Sequence, residues 1–465
     1  MEELQVGYQP ELLLDALKER SVLKIRQIFE NFNIVDIADT INQMEDIQSF
    51  LFIYKTVAPE YTAEAFTYLD SSVKERIIEI LTSEQISNIL ANQYSDDIVD
   101  FIQEMPANLT TKILAATPKV RRNQINQLLN YHEDSAGSIM TTEFIALKEQ
   151  DTMETALAKV RKFGRKAETI SYLFVIDEKR ILKGTLRLKE IFFMDDKEVV
   201  SDIMESDFVH VLANDDQEEM AQTFKKYDLN AIPVTTNDGR LVGIITADDI
   251  IDVIEEEATE DIHMMANIQP LEYEYSKTSV WSLAKKGVVW IIILMISATF
   301  TSFIMNGYEN AMIVVPALSI FIPMLIDTAG NAGNQSVTLV IRALSLGEIS
   351  TRDYLKVISK ELGSGILVGL AVAVVNFVWI LFLDATKLIS LVNSDISPVS
   401  LGILVALAMF ISIVISKFLG ASFPLIIKKL KIDPALLAGP LLTTCIDAIS
   451  LVIYFLLATQ IFQLL

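Results

Sequence analysis

The sequence has 465 residues, of which 51% are hydrophobic and 21% charged, and its formal net charge is −23. Residues 1–275 contain 26 Lys and Arg against 52 Asp and Glu, a net charge of −26, whereas residues 276–465 contain 12 against 9, a net charge of +3. The acidic front part repels phosphate backbones, which excludes nucleic acid as an expected partner.

Residues 1–132 are predicted to form a cytosolic, all-α, superhelical domain. The N-terminus has neither the basic nor the apolar region of a signal peptide, so we expect this part to stay in the cytosol. Segments Leu12–Phe29, Val73–Leu90 and Ile98–Leu114 have apolar residues at three- and four-residue spacing, which indicates amphipathic helices. The helical segments are similar to one another, which favours a stacked arrangement.

Residues 133–256 contain an internal repeat. The segment Ser138–Phe144 recurs as Asp202–Phe208, and an amphipathic helix follows each copy, at Thr152–Phe163 and Asp216–Tyr227. Each helix is followed by two apolar strands, and Asn237–Gly239 has the composition of a hairpin turn. This pattern resembles a tandem pair of CBS domains, an α/β regulatory module. The resemblance implies a cleft that is a candidate site for an adenine nucleotide such as ATP.

Residues 257–283 are predicted to form a helix and linker, since Glu255–Asp261 is a dense acidic run. Residues 284–465 are predicted to form an all-α transmembrane domain of five helices, surrounded by membrane lipid. Each apolar run is long enough, or nearly so, to cross a hydrocarbon layer about 30 Å thick. The predicted spans are Gly287–Tyr308, Ala311–Ile326 with an extension to Ile341, Ser364–Leu383, Ser397–Ser416 and Pro434–Leu465.

The basic residues between the spans predict the orientation. Lys285 and Lys286 precede the first span, and further Lys and Arg residues follow the second span at 342–360 and the fourth at 428–431. Positive loops stay in the cytosol. The protein is therefore predicted to be a multi-pass protein of the cell membrane, with its N-terminus in the cytoplasm and its C-terminus outside.

The second predicted span has an unusual composition. Pro316, Pro323, Gly330 and Gly333 are expected to interrupt its helix, and broken backbone at membrane depth is tolerated where it lines a wet cavity. The alternative is a close helix–helix contact made by small residues. The residues predicted to line a pore are Asn331, Ala332, Gly333, Asn334 and Gln335 here, with Thr443 and Thr444 in the last span.

Asp447 is the acidic residue near the middle of the last span. Burying a carboxylate there costs about 3 kcal/mol on insertion scales, so such a residue usually faces a pathway. Thr443 and Thr444 lie one turn earlier on about the same face, and in a symmetric dimer two Asp447 side chains would form a doubly negative site. The alternative is a protonated Asp447 hydrogen-bonded to a neighbour.

Mg²⁺ prefers oxygen ligands and gives up its water shell reluctantly, so carboxylates, amides and hydroxyls suit it. His132, His210 and His263 all lie outside the predicted spans, and Cys445 is the single cysteine. An imidazole or thiolate site for a softer metal is therefore disfavoured.

The whole chain resembles the MgtE family of magnesium channels. The resemblance is carried by Glu257–His263, by Asp327–Ser336 with its Gly-Asn-Ala-Gly-Asn-Gln run, by Asp433–Leu436 and by Asp447. It implies a homodimer with a pore on the two-fold axis, where Asp447 binds hydrated Mg²⁺, and a plug helix that starts near Glu260. It also implies regulatory Mg²⁺ sites formed by Asp96, Asp100, Asp249, Asp252, Glu257, Glu260 and Asp261, with Asp433 at the inner mouth of the pore.

The predicted function is a Mg²⁺-selective channel that takes up magnesium across the plasma membrane and closes when cytosolic Mg²⁺ binds among the acidic elements. Two alternatives are an ion-coupled secondary transporter of divalent cations and a CBS-regulated membrane sensor. The sequence contains no P-loop, GxGxxG motif or nucleophile–base pair, so an enzyme is not expected.

Overall fold

The computed structural model describes residues 8–44, 46, 48–266, 268–271, 275, 278–388 and 397–463, with side chains left aside at 436–441. The chain divides into two compact units, Met1–Val253 and Ile254–Leu465. Parts of the predicted linker 257–283, of the loop before the fourth span and of the last span lie outside the described residues.

The front of the first unit is helical, as predicted. The first, third, fifth, seventh and ninth helices pack in succession, each against the next of them, so the helices are stacked along the domain. The helices are α1 (Pro10–Lys18), α2 (Val22–Asn31), α3 (Ile34–Asn42), α4 (Gln48–Thr56), α5 (Pro59–Thr67), α6 (Ser71–Ile80), α7 (Ser83–Leu90), α8 (Ser95–Gln103), α9 (Ala107–Ala116) and α10 (Lys119–Leu128).

Each of the three long amphipathic segments consists of two short helices. Arg20 takes a left-handed conformation, with φ of 50°, between α1 and α2. Thr82 starts α7 with a reciprocal capping box to Gln85, and Pro106 precedes α9. The apolar spacing continues across these breaks because successive helices bury the same side against one core.

The CBS pair has two three-stranded sheets with the same strand order and a β-bulge at the same place. In each sheet the first strand is parallel to the second, and the second is antiparallel to the third. The elements are β1 (Ala146–Lys148), α11 (Met153–Phe163), β2 (Tyr172–Ile176), β3 (Leu182–Arg187), α12 (Leu188–Phe193), α13 (Val200–Ile203), β4 (Val211–Leu212), α14 (Gln217–Tyr227), β5 (Ala231–Thr235), β6 (Leu241–Thr246) and α15 (Ala247–Met265).

The two repeats exchange their leading segments. Thr141, from the first repeat, pairs with Ile244 of the second through N–O distances of 2.8 and 3.0 Å. Glu205, at the matching place of the second repeat, pairs with Thr185 of the first. A Cβ on Gly243 would come within 2.8 Å of the Thr141 carbonyl, so a side chain there would disrupt the exchange.

The second unit contains the later part of α15 and six further α-helices within its described residues. They are α16 (Val280–Gly307), α17 (Glu309–Val314), α18 (Ala317–Ser345), α19 (Tyr354–Ala385), α20 (Pro398–Lys429) and α21 (Pro434–Phe462). Helix α20 packs against α18, α19 and α21.

Four of these helices, rather than the five predicted, are long and apolar enough to cross a membrane in the part of the chain that is described. The candidate spans are Val280–Gly307, Pro398–Lys429 and Leu442–Phe462, with Thr351–Ala385, which joins a short 3-10 turn at Thr351–Asp353 to α19. Helix α18, the second predicted span, is not among them: it has sufficient length but carries three amides and two glycines from Gly330 to Gln335. Those residues lower its hydropathy below that of a lipid-exposed span.

The prediction that this helix is broken is also wrong. Helix α18 is continuous for 29 residues, with Pro323 inside it and Pro316 just before it. Gly333 is used for close packing, which was the alternative: a Cβ on Gly333 would lie 2.3 Å from Ile446, and one on Gly420 of α20 would lie 2.4 Å from the Gly333 carbonyl. Tertiary packing thus outweighs the low helix propensity of glycine, which is worth about 1 kcal/mol per residue.

Candidate functional site: acidic clusters and a polar helix face

Buried carboxylates gather between the helical domain and the CBS pair, within the first unit. Asp96 lies in the first turn of α8 and is 5% exposed, and its Oδ1 atom has no hydrogen-bond partner among the described residues. Burial, followed by the charges of Asp249, Asp97 and Glu168, raises the pKa of Asp96 well above its ordinary value. These negative groups are therefore close enough to repel one another.

Glu143 fixes the start of α8 against the CBS pair. Its Oε2 atom accepts hydrogen bonds from Ser95 Oγ at 2.5 Å and from the Thr142 amide at 3.1 Å. Its Oε1 atom accepts from Arg121 at 3.3 Å. Since Ser95 directly precedes Asp96, these contacts determine where the Asp96 carboxylate lies.

Asp249 lies in the first turn of α15. Its carboxylate accepts hydrogen bonds from the Thr246 hydroxyl at 2.8 Å and the Thr246 amide at 3.1 Å, which caps the helix. Burial nevertheless raises the pKa of Asp249 to about 6, and the charges of Asp248 and Asp97 add to the rise.

Sequence reasoning missed three carboxylates of this cluster, namely Asp97, Asp248 and Glu168. Burial and the charge of Asp249 raise the pKa of Glu168 to about 8, and its Oε2 atom has no partner among the described residues. Asp97 and Asp248 directly neighbour two predicted ligands, which was a usable signal. Glu168 follows a short 3-10 turn, Gly164–Lys166, and no local pattern distinguishes it.

The other predicted regulatory carboxylates are more exposed than Asp96. Asp100 and Asp252 are exposed, and Asp100 contributes charge beside Lys74. Glu257 and Glu260 are half-buried on the second half of α15. Within the described ranges, no three His, Cys, Asp or Glu side chains form a group that would hold a metal ion.

Asp261 and Asp433 come together in the second unit. Ser345 Oγ, at the end of α18, donates to Asp261 Oδ2 at 3.0 Å, and Asp433 caps α21 through the Ala435 amide at 2.9 Å. Burial raises the pKa of Asp261, and the negative charge of Asp433 adds to that rise. The acidic end of α15 and the start of α21 therefore meet in the second unit.

Helix α18 has one polar exposed face and one apolar buried face. Asp327, Asn331, Asn334 and Gln335 are exposed at helical spacing, together with Thr338. Asn331 Nδ2 donates to Asp327 Oδ2 at 3.3 Å.

The opposite face of α18 is in the core. Ala332 and Gly333, which were predicted to line a pore, are buried there. A helix turns about 100° per residue, so Ala332 and Gly333 point towards the core between the exposed Asn331 and Asn334, and their place in a pore lining stays a prediction. The exposed Asn331, Asn334 and Gln335 remain candidates.

Asp447 is half-buried on α21, as are Thr443 and Thr444 one turn earlier. Leu442 and Ile446, on the adjoining face, pack against Gly333 of α18. The charge of Asp327 reaches Asp447. Two acidic side chains from different helices thus lie near each other among amides and hydroxyls, and the sequence had singled out only one of them.

Two clefts among the described residues of the CBS pair differ in the charge of their linings. Both have two aromatic rings; one adds two basic side chains, which suits the base and phosphates of a nucleotide, and the other adds one basic and one acidic side chain. The first is lined by Ser171, Tyr172, Arg187, Leu188, Lys189, Phe192 and Asn230, and the second by Glu143, Phe144, Ile145, Ala146, Phe163, Lys166 and Ala167.

Comparison with known families agrees with this division of the chain. Residues 32–134 match the MgtE intracellular N domain, residues 136–194 and 200–256 match the CBS domain, and residues 322–457 match the family described as a divalent cation transporter. An acidic cytosolic part joined to apolar helices of this kind defines a membrane transporter of divalent cations with regulatory domains.

Individual relatives identify the family. The magnesium transporter MgtE of Thermus thermophilus is 33% identical over 447 residues, which cover 95% of this chain and 96% of the relative. That of Bacillus subtilis is 30% identical over 455 residues, covering 94% and 96%. The chain belongs to the MgtE family.

Two solved structures resemble the cytosolic part. The soluble part of a magnesium transporter has a TM-score of 0.51 and 31% identity, and covers 54% of this chain and 98% of its own. The cytosolic domain of the Mg²⁺ channel MgtE in complex with ATP has a TM-score of 0.50 and 30% identity, and covers 53% and 100%.

Proposed function

We propose that this protein is a homodimeric Mg²⁺ channel of the cell membrane that cytosolic Mg²⁺ closes. The observation that carries the proposal is the polar face of α18 next to Asp447. Its amides and carboxylates are oxygen-bearing groups that suit the water shell of Mg²⁺. The named relatives, which are magnesium transporters, support the choice of ion.

We infer that α18 lies within the membrane although it is too polar to face lipid. Its first half packs with the first half of α20 and its second half with the second, so the two helices run in the same direction. Tyr454 of α21 bonds to the Leu318 carbonyl, whereas Gly333 packs near Leu442, so α21 runs the opposite way. These directions are the ones expected if α16, α18, α19, α20 and α21 cross the membrane in turn. They support α18 as a fifth crossing and a C-terminus outside the cell.

The partner subunit would complete the ion route. The exposed polar face of α18 would be unfavourable against lipid, and a second copy across a two-fold axis would enclose it in a water-filled passage. Two Asp447 side chains and their Thr443 and Thr444 neighbours would then surround one hydrated ion. Helix α16, which buries no residue within one subunit, supports contact with lipid or the partner.

Closure by cytosolic Mg²⁺ is supported by the buried carboxylates. Asp96 and Asp249, with Glu168, are arranged so that repulsion disfavours the compact cytosolic unit, and a bound divalent cation would offset that repulsion. Asp261 and Asp433 form a second acidic pair at the α21 end. Mg²⁺ that binds the compact form of the cytosolic unit more tightly than the open form shifts the equilibrium towards the compact form.

Two further parts of the proposal concern nucleotide and mechanism. The ATP complex of the related cytosolic domain and the cleft around Tyr172, Arg187 and Lys189 support ATP as a regulatory ligand. The continuous helix α18 weakens the hypothesis of a coupled secondary transporter, which depended on a broken span.

Patch recordings and proteoliposome uptake test this function. We expect wild-type protein to give single-channel Mg²⁺ currents that close as Mg²⁺ rises on the cytosolic face. Asp447→Asn should abolish the current while the protein remains folded. Uptake without single-channel events would favour a coupled transporter, and no uptake at all would favour a membrane sensor.

A further inference from the structure

A charged pair is buried inside the membrane unit, away from the polar face of α18. Lys417 on α20 has a side chain 4% exposed, and Glu361 on α19 has one 12% exposed. The Lys417 Nζ atom lies 3.6 Å from Glu361 Oε2. Ser336 of α18, which is fully buried, donates its hydroxyl to the same oxygen at 2.5 Å.

The surrounding residues allow the three helices to approach closely at this point. A Cβ on Gly365 would lie 3.1 Å from the Lys417 Cβ, and one on Gly420 would lie 3.0 Å from the Ser336 Cβ. Because these two glycines lie about one turn from Glu361 and Lys417, the helices come close enough for the polar atoms of Glu361, Lys417 and Ser336 to meet.

A buried ion pair contributes little net stability, because the loss of hydration of the two charges offsets much of their attraction. Apolar side chains of similar volume would pack α19 against α20 at no greater cost. The pair instead places the Glu361 carboxylate, and the hydrogen bond from Ser336 to it orients α18, since only one rotation of α18 about its axis brings the Ser336 hydroxyl to that oxygen. Ser336 directly follows the Gly330–Gln335 segment, so it controls where that segment's amides point.

We propose that Glu361, Lys417 and Ser336 form a positioning triad that holds the amide face of α18 towards the ion route. The inference rests on the proposed function, since it concerns the route that the function requires. None of the three side chains belongs to the exposed stripe of Asp327 and Asn331. They act on the ion through the orientation of α18.

The test measures the rotation of α18 directly. In a Cys445→Ser background, single cysteines replace Asn334 on the exposed face or Val337, which is 3% exposed on the buried face. A water-soluble thiol reagent is applied to the full-length protein in proteoliposomes. We expect Asn334→Cys to react severalfold faster than Val337→Cys in the unaltered triad.

Two triad variants are then compared. Ser336→Ala removes the hydrogen bond but keeps the ion pair, and Glu361→Leu with Lys417→Met replaces both charged side chains by neutral, apolar groups and removes the acceptor of Ser336. In both we expect the ratio of labelling rates to fall towards one and Mg²⁺ uptake to fall severalfold. Val340→Ala, which removes packing from the same buried face, is the control and should keep the ratio.

Each outcome decides the proposal. An unchanged labelling ratio in either triad variant, or failure of the neutral double variant to fold, would overturn it, the latter because the pair would then be needed for stability. If wild-type liposomes take up no Mg²⁺, the proposed function fails, while the labelling ratios still decide whether the triad positions α18.

Discussion

Asp96 and Asp249 are brought within electrostatic reach of each other although they belong to the helical domain and the second CBS repeat. Burial and then the charge of Asp249 raise the pKa of Asp96, whose Oδ1 atom has no partner among the described residues. Such an arrangement is unfavourable without a cation, and therefore predicts how substitutions will change stability.

Asp96→Asn should stabilise the cation-free protein and make it less responsive to Mg²⁺. Removing one of the repelling charges should raise the melting temperature in EDTA by about 2–4 °C per kcal/mol of relieved repulsion. The rise caused by added Mg²⁺ should shrink. Glu84→Gln, an exposed change on α7 outside the predicted sites, is the matched control. A full Mg²⁺ response in Asp96→Asn would contradict a cation site at Asp96.

The same cluster predicts a dependence of stability on pH. The pKa of Glu168 is raised from 4.5 to about 8 and that of Asp249 from 3.8 to about 6, in both cases first by burial. An acid whose pKa is raised by folding destabilises the folded state as the pH rises. For Glu168 this loss of stability is absent below pH 4.5, grows between pH 4.5 and about 8, and is complete above about pH 8.

We therefore expect the melting temperature of the EDTA-treated protein to fall as the pH rises through the interval between 4.5 and about 8. Glu168→Gln should reduce the slope, since the neutral amide has no proton to lose. Differential scanning fluorimetry across this interval measures both. The prediction does not hold if the wild type and Glu168→Gln follow the same curve.

Gly420→Ala should destabilise the membrane unit, because its Cβ would lie 2.4 Å from the Gly333 carbonyl, which is backbone. Overpacking of this kind typically costs about 1–3 kcal/mol. A Cβ on Gly330 would meet nothing within 4 Å, so Gly330→Ala should be tolerated or slightly stabilising. Thermal unfolding in detergent compares the two, and equal melting temperatures would argue against close packing of α18 on α20.

The cleft around Arg187 predicts a selective loss of nucleotide binding. Arg187→Ala should weaken ATP binding by about tenfold or more, as expected for a lost hydrogen bond to a charged group. Lys166→Ala, in the other cleft of the CBS pair, is the control. Isothermal titration with ATP separates them, and equal weakening by both variants would assign ATP to neither cleft alone.

Local patterns predicted much of the fold. The helices Met153–Phe163 and Gln217–Tyr227 and the hairpin at Gly239, with φ of 76°, lie where the repeat indicated. These elements depend on spacing and turn chemistry within a few residues. Helix ends were predicted less well, because a break such as that at Arg20 leaves the apolar spacing intact.

The candidate site residues also divide into those that a local pattern predicted and those that it did not. Asp447 and the amides of α18 were evident because a polar group in an apolar run stands out by itself. Glu168 and Asp327 gained their importance only from neighbours far away in the chain.

By itself, the sequence determined the order of domains, the CBS repeat, the apolar helices and the acid in the last of them, since composition and periodicity are properties of short stretches of chain. Only the tertiary structure decided that α18 is continuous, that Gly333 is buried while Asn334 is exposed, and that Glu361, Lys417 and Ser336 meet. Those outcomes follow from packing between distant helices, where close contacts outweigh the preferences of individual residues.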